Sequence, residues 1–344
     1  MRAAMYYSNN DLRIIELPVP EIGDGEILMK VIASGICGSD VMEWYRRDKV
    51  PLVLGHEVAG EVVSVGKGVV NFKAGDRIAS THHVPCNTCH YCLNNHHTAC
   101  VTLQKGTHFE PGGFAEYIRI PAINVDRGTF HIPEGVSYEE ASFMEPLACV
   151  VRGQRGALVR PGQTVLVVGA GIAGLLHAGL ARALGAGLVI AADTIPARLE
   201  MAKKMGADFS IRADENMYTE IRGKNDGRLA DLVVICHGEF IHFGIKAVEK
   251  GGTVLIFASA PEGAAIPASV NDIFWRTEVT LLSTYAGSPA DCLQALKMIR
   301  MKTIPLQNLI THRIKLDDIQ MGFKAVASPI EHNSIKVIVE PNSR

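Results

Sequence analysis

Three short runs carry side chains able to hold a metal ion: GICGSD with Cys37, Ser39 and Asp40, LGHEVAG with His56 and Glu57, and FMEPLAC with Glu145. They offer a thiol, an imidazole and carboxylates, well separated along the chain, each run also carrying a glycine or a proline. Three such ligands and one water describe a catalytic zinc site with an open position. Asp40 is suited to hold the second ring nitrogen of His56 and so fix its tautomer. Singly, each has a plainer explanation: Cys37 as a small core residue, Glu145 on a helix surface. The combination carries the weight.

A second set is of a different kind. Residues 85–100, PCNTCHYCLNNHHTAC, hold four of the eight cysteines: Cys86, Cys89, Cys92 and Cys100, with two, two and seven residues between them. Four thiolates fill a tetrahedral zinc shell and leave no place for substrate or water. Such a site cannot act as a Lewis acid on a substrate, but it can fold a loop poor in apolar residues. His90, His96 and His97 are then solvated loop residues. A nucleic-acid-binding zinc knuckle is the alternative, but the loop has no Lys or Arg. Two zinc ions per chain are therefore expected.

The third set is glycine-based. VLVVGAGIAGLL places Gly169, Gly171 and Gly174 after an apolar strand and at the start of a helix. This spacing suits a tight turn, close approach of a pyrophosphate and close helix–strand packing. The helix start, at Ile172 and Ala173, offers N–H groups and a partial positive charge to phosphates. Asp193 ends the next strand, about twenty residues on, where a carboxylate can accept ribose hydroxyls and repel a 2′-phosphate. NAD is therefore expected over NADP, although Arg198 nearby would tolerate NADP. The plainer reading of Asp193 is a helix cap.

The elements that must position these residues follow from patterning. Residues 1–150 read as strands and glycine turns, among them EILMKVIA, HEVAGEVVSVG, GDRIAS and FAEYIRI. Near residue 137 the character changes: Ser137 is placed to cap a helix, with Glu140 three residues on. From TVLVV to EVTLLS, continuously apolar strands alternate with helices, the pattern of a parallel sheet covered on both faces. After residue 285 come two helical patterns and a last strand, IKVIVE. The fold class is α/β, with one domain formed by 1–150 and 286–344 and a dinucleotide-binding domain at 151–285.

The chain has 344 residues, 47% of them hydrophobic, and a net charge of −2. Near-neutral charge without a basic run argues against nucleic acid as a partner. The N-terminus lacks the apolar core of a signal peptide, and the apolar stretch 164–192 carries His177 and Arg182, so no membrane segment is expected. The expected location is the cytoplasm, where clustered cysteines bind metal rather than form disulfides.

The order GICGSD, GHE, four-cysteine loop, GGFAEY, EPL and GAGIAG resembles the zinc-dependent medium-chain alcohol dehydrogenase superfamily over essentially the whole chain. GHE followed by EP is more similar to its sorbitol and threonine dehydrogenase branch, since other members place a cysteine where Glu145 stands. The resemblance implies a GroES-like β-rich catalytic domain interrupted by a Rossmann domain, and a homo-oligomer (tetramer or dimer). It implies that Lys336 reaches the cofactor phosphates, and that Trp44, Arg46 and Arg47 line the substrate cleft or simply lie on the surface. Many members carry a proton-relaying histidine five residues after the catalytic cysteine; here that position is Met42. The expected reaction is hydride transfer from a secondary alcohol (polyol, sugar alcohol or hydroxy amino acid) to NAD. Ser39 takes the proton, and Cys37, His56, Glu57 and Glu145 serve the zinc, the two glutamates sharing ligand duty. Aldehyde or ketone reduction, and a non-catalytic cofactor-binding homologue, are the alternatives.

Overall fold

The computed structural model describes residues 1–266 and 268–343. It divides into two units: 1–148 with 286–302 and 306–344, and 149–285 with 303–305.

The first unit is built on a sheet of short, mostly antiparallel strands. Its order runs Ile310–Lys315, Lys336–Glu340, Ile27–Gly35, Glu57–Val65, Arg77–Ser80 and Thr129–His131, with Tyr117–Ile120 also pairing to Ile27–Gly35. A smaller sheet joins Asp11–Glu16, Arg2–Ser8 and Leu52–Val53. Ile27, Met29, Val31, Val58, Val62, Ile78, Ile118 and Ile120 bury their side chains in one cluster. A second cluster gathers Tyr6, Ile36, Phe114, Phe323, Val337 and Val339. The helix Tyr138–Ser142 begins at a capping box: Ser137 Oγ accepts from Glu140 N–H at 3.1 Å, and Glu140 Oε2 accepts from Ser137 N–H at 3.0 Å. That cap fixes the entry to the helix Met144–Gly156, whose first turn carries Glu145.

The second unit is a six-stranded, all-parallel sheet. Numbered along the chain, its strands are Thr164–Val168, Leu188–Asp193, Phe209–Arg212, Ala230–Ile235, Val248–Ile256 and Thr280–Ser283, and they stand in the order 3-2-1-4-5-6. This is the doubly wound Rossmann order, in which ligands bind at the carboxyl ends of the strands where the order reverses. TVLVV is buried at every position, as a strand covered on both faces must be. The apolar stretch 164–192 is strand, turn, helix and strand; no described helix is long and apolar enough to cross a membrane.

Candidate metal centres and nucleotide site

Glu57 opens the strand Glu57–Val65, and Cys37 stands two residues past the strand Ile27–Gly35. The strands pair antiparallel with Gly35 opposite Glu57. That register carries the turn bearing Cys37 to His56, and ligand atoms of Cys37, His56 and Glu57 lie within 4.8 Å of one another. The set of thiol, imidazole and carboxylate fits a zinc ion with an open position.

Asp40 is fully buried beneath this group. Its Oδ1 lies 3.4 Å from His56 Nδ1, leaving Nε2 for a metal, and its Oδ2 accepts from the Cys37 N–H at 3.0 Å. Burial alone would raise the Asp40 carboxyl; the charge and hydrogen bond of His56, with Arg46 and the Cys37 N–H, hold it below the usual range instead. Burial pulls the His56 imidazole down, but Asp40 and Cys37 together push it well above its ordinary value.

Arg46 completes this layer. Its Nη2 lies 3.4 Å from Asp40 Oδ1 and its Nε donates to the Ser39 carbonyl at 3.3 Å. Its side chain is largely buried by these contacts, so it braces the turn that carries Cys37 and Ser39, whereas the resemblance offered it as a substrate contact or a surface residue. Trp44 and Arg47 are exposed.

Lys336 departs from expectation. The resemblance assigns it to cofactor phosphates, but its side chain is 1% exposed, with the ammonium on the Glu57 carboxylate and on the Ile36 carbonyl at 3.1 Å. The strand Lys336–Glu340 pairs antiparallel with Ile27–Gly35, Ile338 facing Gly35, and this brings the lysine under the metal ligands. Burial raises the Glu57 carboxyl, opposed by Lys336 and His56, while the nearby charge of Glu145 adds to the rise.

Glu145 groups with residues the sequence did not single out. His82 and His83 follow the strand Arg77–Ser80, and ligand atoms of His82, His83 and Glu145 lie within 4.8 Å of one another. His83 Nδ1 is 3.1 Å from Glu145 Oε1. The His82 ring stands 4.7 Å from that of His56, 3.7 Å from that of His83 and 6.2 Å from that of His108, between centroids. Burial, then the charges of His83, His56, His108 and Arg46, hold His82 well below its ordinary value. No metal-ligand spacing marks the adjacent histidines in the sequence; only the fold brings them to Glu145.

The cysteine loop gathers Cys86, Cys89, Cys92 and Cys100, with ligand atoms within 4.8 Å. Sulfur separations of 4.0 Å (Cys86–Cys92), 3.5 Å (Cys89–Cys92) and 3.6 Å (Cys86–Cys100) bracket the edge of about 3.8 Å expected for four sulfurs at about 2.3 Å from a tetrahedral zinc. They are far too long for disulfides. N–H groups of Thr88 and Cys89 and the Thr88 hydroxyl point at Cys86 Sγ, bringing that thiol down to about 5. The loop's own backbone thus favours the thiolate form that binds metal. His90 and His96 are exposed, and His97 half-buried.

In the second unit, Gly169 takes φ +96°, and a Cβ on Gly174 would collide with the Gly169 carbonyl oxygen. A Cβ on Gly171, by contrast, would meet only the Arg198 guanidinium, at 3.8 Å. The space before the helix Ile172–Ala183 is thus open and faced by a cation, which fits a dinucleotide's phosphates. Asp193 is buried, with Oδ2 accepting from the Ala170 N–H at 2.7 Å and Oδ1 from the Ile195 N–H at 2.9 Å. Arg198 Nη1 lies 3.8 Å from Oδ2. The carboxylate therefore ties the glycine turn to the start of the next helix, and each oxygen keeps a lone pair for a further donor.

Two family models match the chain: the alcohol dehydrogenase GroES-like domain over residues 23–133 and the zinc-binding dehydrogenase over 173–301. Sorbitol dehydrogenase of Bacillus subtilis (strain 168) is 32% identical, with 99% of this chain and 98% of that protein covered. L-threonine 3-dehydrogenase of Chelativorans sp. (strain BNC1) is 34% identical, with 91% of each covered. A putative zinc-binding dehydrogenase from Sinorhizobium meliloti 1021, solved bound to NADP, superposes with a TM-score of 0.88 at 29% identity, covering 99% of both chains. With its GroES-like and Rossmann units, the chain belongs to the zinc-dependent medium-chain alcohol dehydrogenase superfamily, on the sorbitol and threonine dehydrogenase-like branch, and is an oxidoreductase of alcohols.

Proposed function

We propose that the chain oxidises a secondary alcohol of the polyol, sugar alcohol or hydroxy amino acid class, with NAD preferred to NADP. The observation that carries the reading is the grouping of Cys37, His56 and Glu57 over Asp40 and Lys336. Bound zinc would supply Lewis-acid polarisation of the substrate hydroxyl, and bound NAD would take up hydride. Cys37, His56 and Glu57 would hold the ion, and Glu145, close enough to Glu57 to raise its carboxyl, would share ligand duty with it. Asp40 keeps the His56 ring in the tautomer that presents Nε2. Lys336 favours the charged form of Glu57. The Ser39 hydroxyl, two residues from Cys37, takes the substrate proton. Gly169, Gly171, Ile172, Ala173, Gly174 and Arg198 cradle the phosphates, and Asp193 reads the ribose. The substrate class is supported by the relatives' activities, sorbitol and L-threonine oxidation.

The working form is proposed to be a homo-oligomer in the cytoplasm. The parallel sheet ends at Thr280–Ser283, whose outer edge pairs with no described strand, and Val270, Phe274 and Trp275 just before it are exposed. An open edge beside apolar side chains is a surface a second copy can cover. Each of the eight cysteines carries a thiol rather than a disulfide, as a reducing compartment would keep it.

The test is a dehydrogenase screen over polyols, sugars and hydroxy amino acids, with NAD and NADP in parallel, on protein carrying two zinc ions. Turnover of one class with NAD supports the reading. Zinc-loaded protein that turns over none of them with either cofactor would overturn it.

A further inference from the structure

We propose that His82, His83 and Glu145 form a third metal site, for a borderline divalent ion such as zinc or cobalt, beside the Cys37–His56–Glu57 group, with which it shares Glu145, and apart from the cysteine loop. Their ligand atoms lie within 4.8 Å of one another; His82 and His83 belong to neither of the other two groups, while Glu145 is the carboxylate also expected to serve the first. The His83 Nδ1 to Glu145 Oε1 distance of 3.1 Å is close to the separation of about 3.4 Å between two ligands each about 2.1 Å from a tetrahedral ion. Two imidazoles and one carboxylate are a set that zinc accepts, with a fourth position left for water.

The independent observation is His82. Its Nδ1 is buried and has no hydrogen-bond partner among the described residues. A buried ring nitrogen without a partner is unfavourable, and such groups in folded proteins call for an explanation. An ion held with His83 and Glu145 provides one. The local fold supports it: both histidines lie beyond the strand Arg77–Ser80, outside its alternation, so neighbours in sequence bring their ring centroids to 3.7 Å, the planes tilted by 41°. The His82 ring is also 4.7 Å from the His56 ring. Two cations so close repel each other, so this site is weaker than the first and fills only when metal is in excess. An ion there engages Glu145 and thereby acts as an inhibitor.

The experiment starts from protein carrying two zinc ions per chain, dialysed against rising Co²⁺, with metal counted by elemental analysis and the visible spectrum recorded. Wild type should take up a third equivalent whose cobalt bands lack thiolate charge-transfer absorption, because the ligand set contains no sulfur. His82→Gln and His83→Asn should each lose that equivalent and keep the first two. Wild type saturating at two, a third ion showing a sulfur signature, or a third ion retained in His82→Gln (adventitious binding at exposed histidines) would each overturn the proposal. Should the variants fail to fold, the wild-type count and spectrum decide alone. The count is read without turnover, so it stands or falls separately from the proposed reaction.

Discussion

Lys336 and Glu57 form an ion pair in which both side chains are only 1% exposed, directly behind the Cys37–His56–Glu57 group. Removing one partner of a buried pair typically destabilises by about 3–5 kcal/mol, because the other charge is left uncompensated. Lys336→Met should therefore unfold at markedly lower denaturant and load zinc poorly at the open site. The double change Lys336→Met with Glu57→Gln should cost less stability than the sum of the single changes. Additive costs in a double-mutant cycle would show that the pair is not coupled.

The two zinc sites should differ in lability. The four-thiolate site is closed, and the other is mixed and open. Mild chelation should remove one ion and all activity together. Loss of both ions in step, or full activity with one ion gone, would contradict this.

Serine substitution should separate the two roles. A closed structural zinc contributes on the order of 10 kcal/mol of folding energy to the segment it ties. Cys100→Ser should lower the melting temperature yet keep near-normal turnover per folded chain. Cys37→Ser should melt much like wild type, with turnover reduced by orders of magnitude. A stable Cys100→Ser protein without turnover would put the chemistry back in the loop.

Asp193→Ala should raise the use of NADP relative to NAD, since on the proposed reading it removes the carboxylate that would face the 2′ position. It should also destabilise the second unit by about 1–3 kcal/mol, because the Ala170 and Ile195 N–H groups lose their acceptor. Asp193→Asn retains an acceptor oxygen and should lose less stability. If wild type already prefers NADP, this assignment fails.

His177 gives the second unit an acid sensitivity. The ring is fully buried, packed edge-on to Phe257, and burial holds it at about 3. Below about 6.5 the unfolded chain takes up a proton that the folded chain refuses until about 3, so stability falls as pH drops through that window. The slope from this one residue approaches about 1.4 kcal/mol per pH unit. His177→Gln should flatten the fall between pH 6 and pH 4, measured by urea unfolding at each pH against wild type (both values roughly bracketed by the two pKa values). An unchanged difference between the two proteins across those pH values would refute it.

The parallel sheet was legible because each of its central strands is a short, continuously apolar run, and the glycine turn sits where periodicity changes from strand to helix. The capping residue Ser137 was legible for the same local reason. The strand Ile310–Lys315 was not: its sequence, ITHRIK, buries only Ile310 and Ile314, since it lies at the edge of the sheet. The cysteine loop announces itself by spacing. His82 and His83 do not, because their relation to Glu145 spans 62 positions between His83 and the carboxylate and depends on a turn meeting a helix. The pairing of Lys336 with Glu57 spans 279 positions and depends on sheet register, to which no local pattern points.

The two metal sites therefore differ in when the chain can complete them. The thiolate loop closes over fifteen residues, so it can capture an ion as soon as residue 100 is available, at small loop-closure entropy. The open site has Cys37, His56 and Glu57 by residue 57, but the counter-charge for Glu57 arrives only with the final strand, at Lys336. A nascent or C-terminally truncated chain would thus hold its structural zinc while the Glu57 carboxylate waits without its lysine, and catalytic competence becomes a report that the last strand has docked. Release of a chain ending at residue 335, followed by zinc counting, would show one tightly held ion and a weakened second.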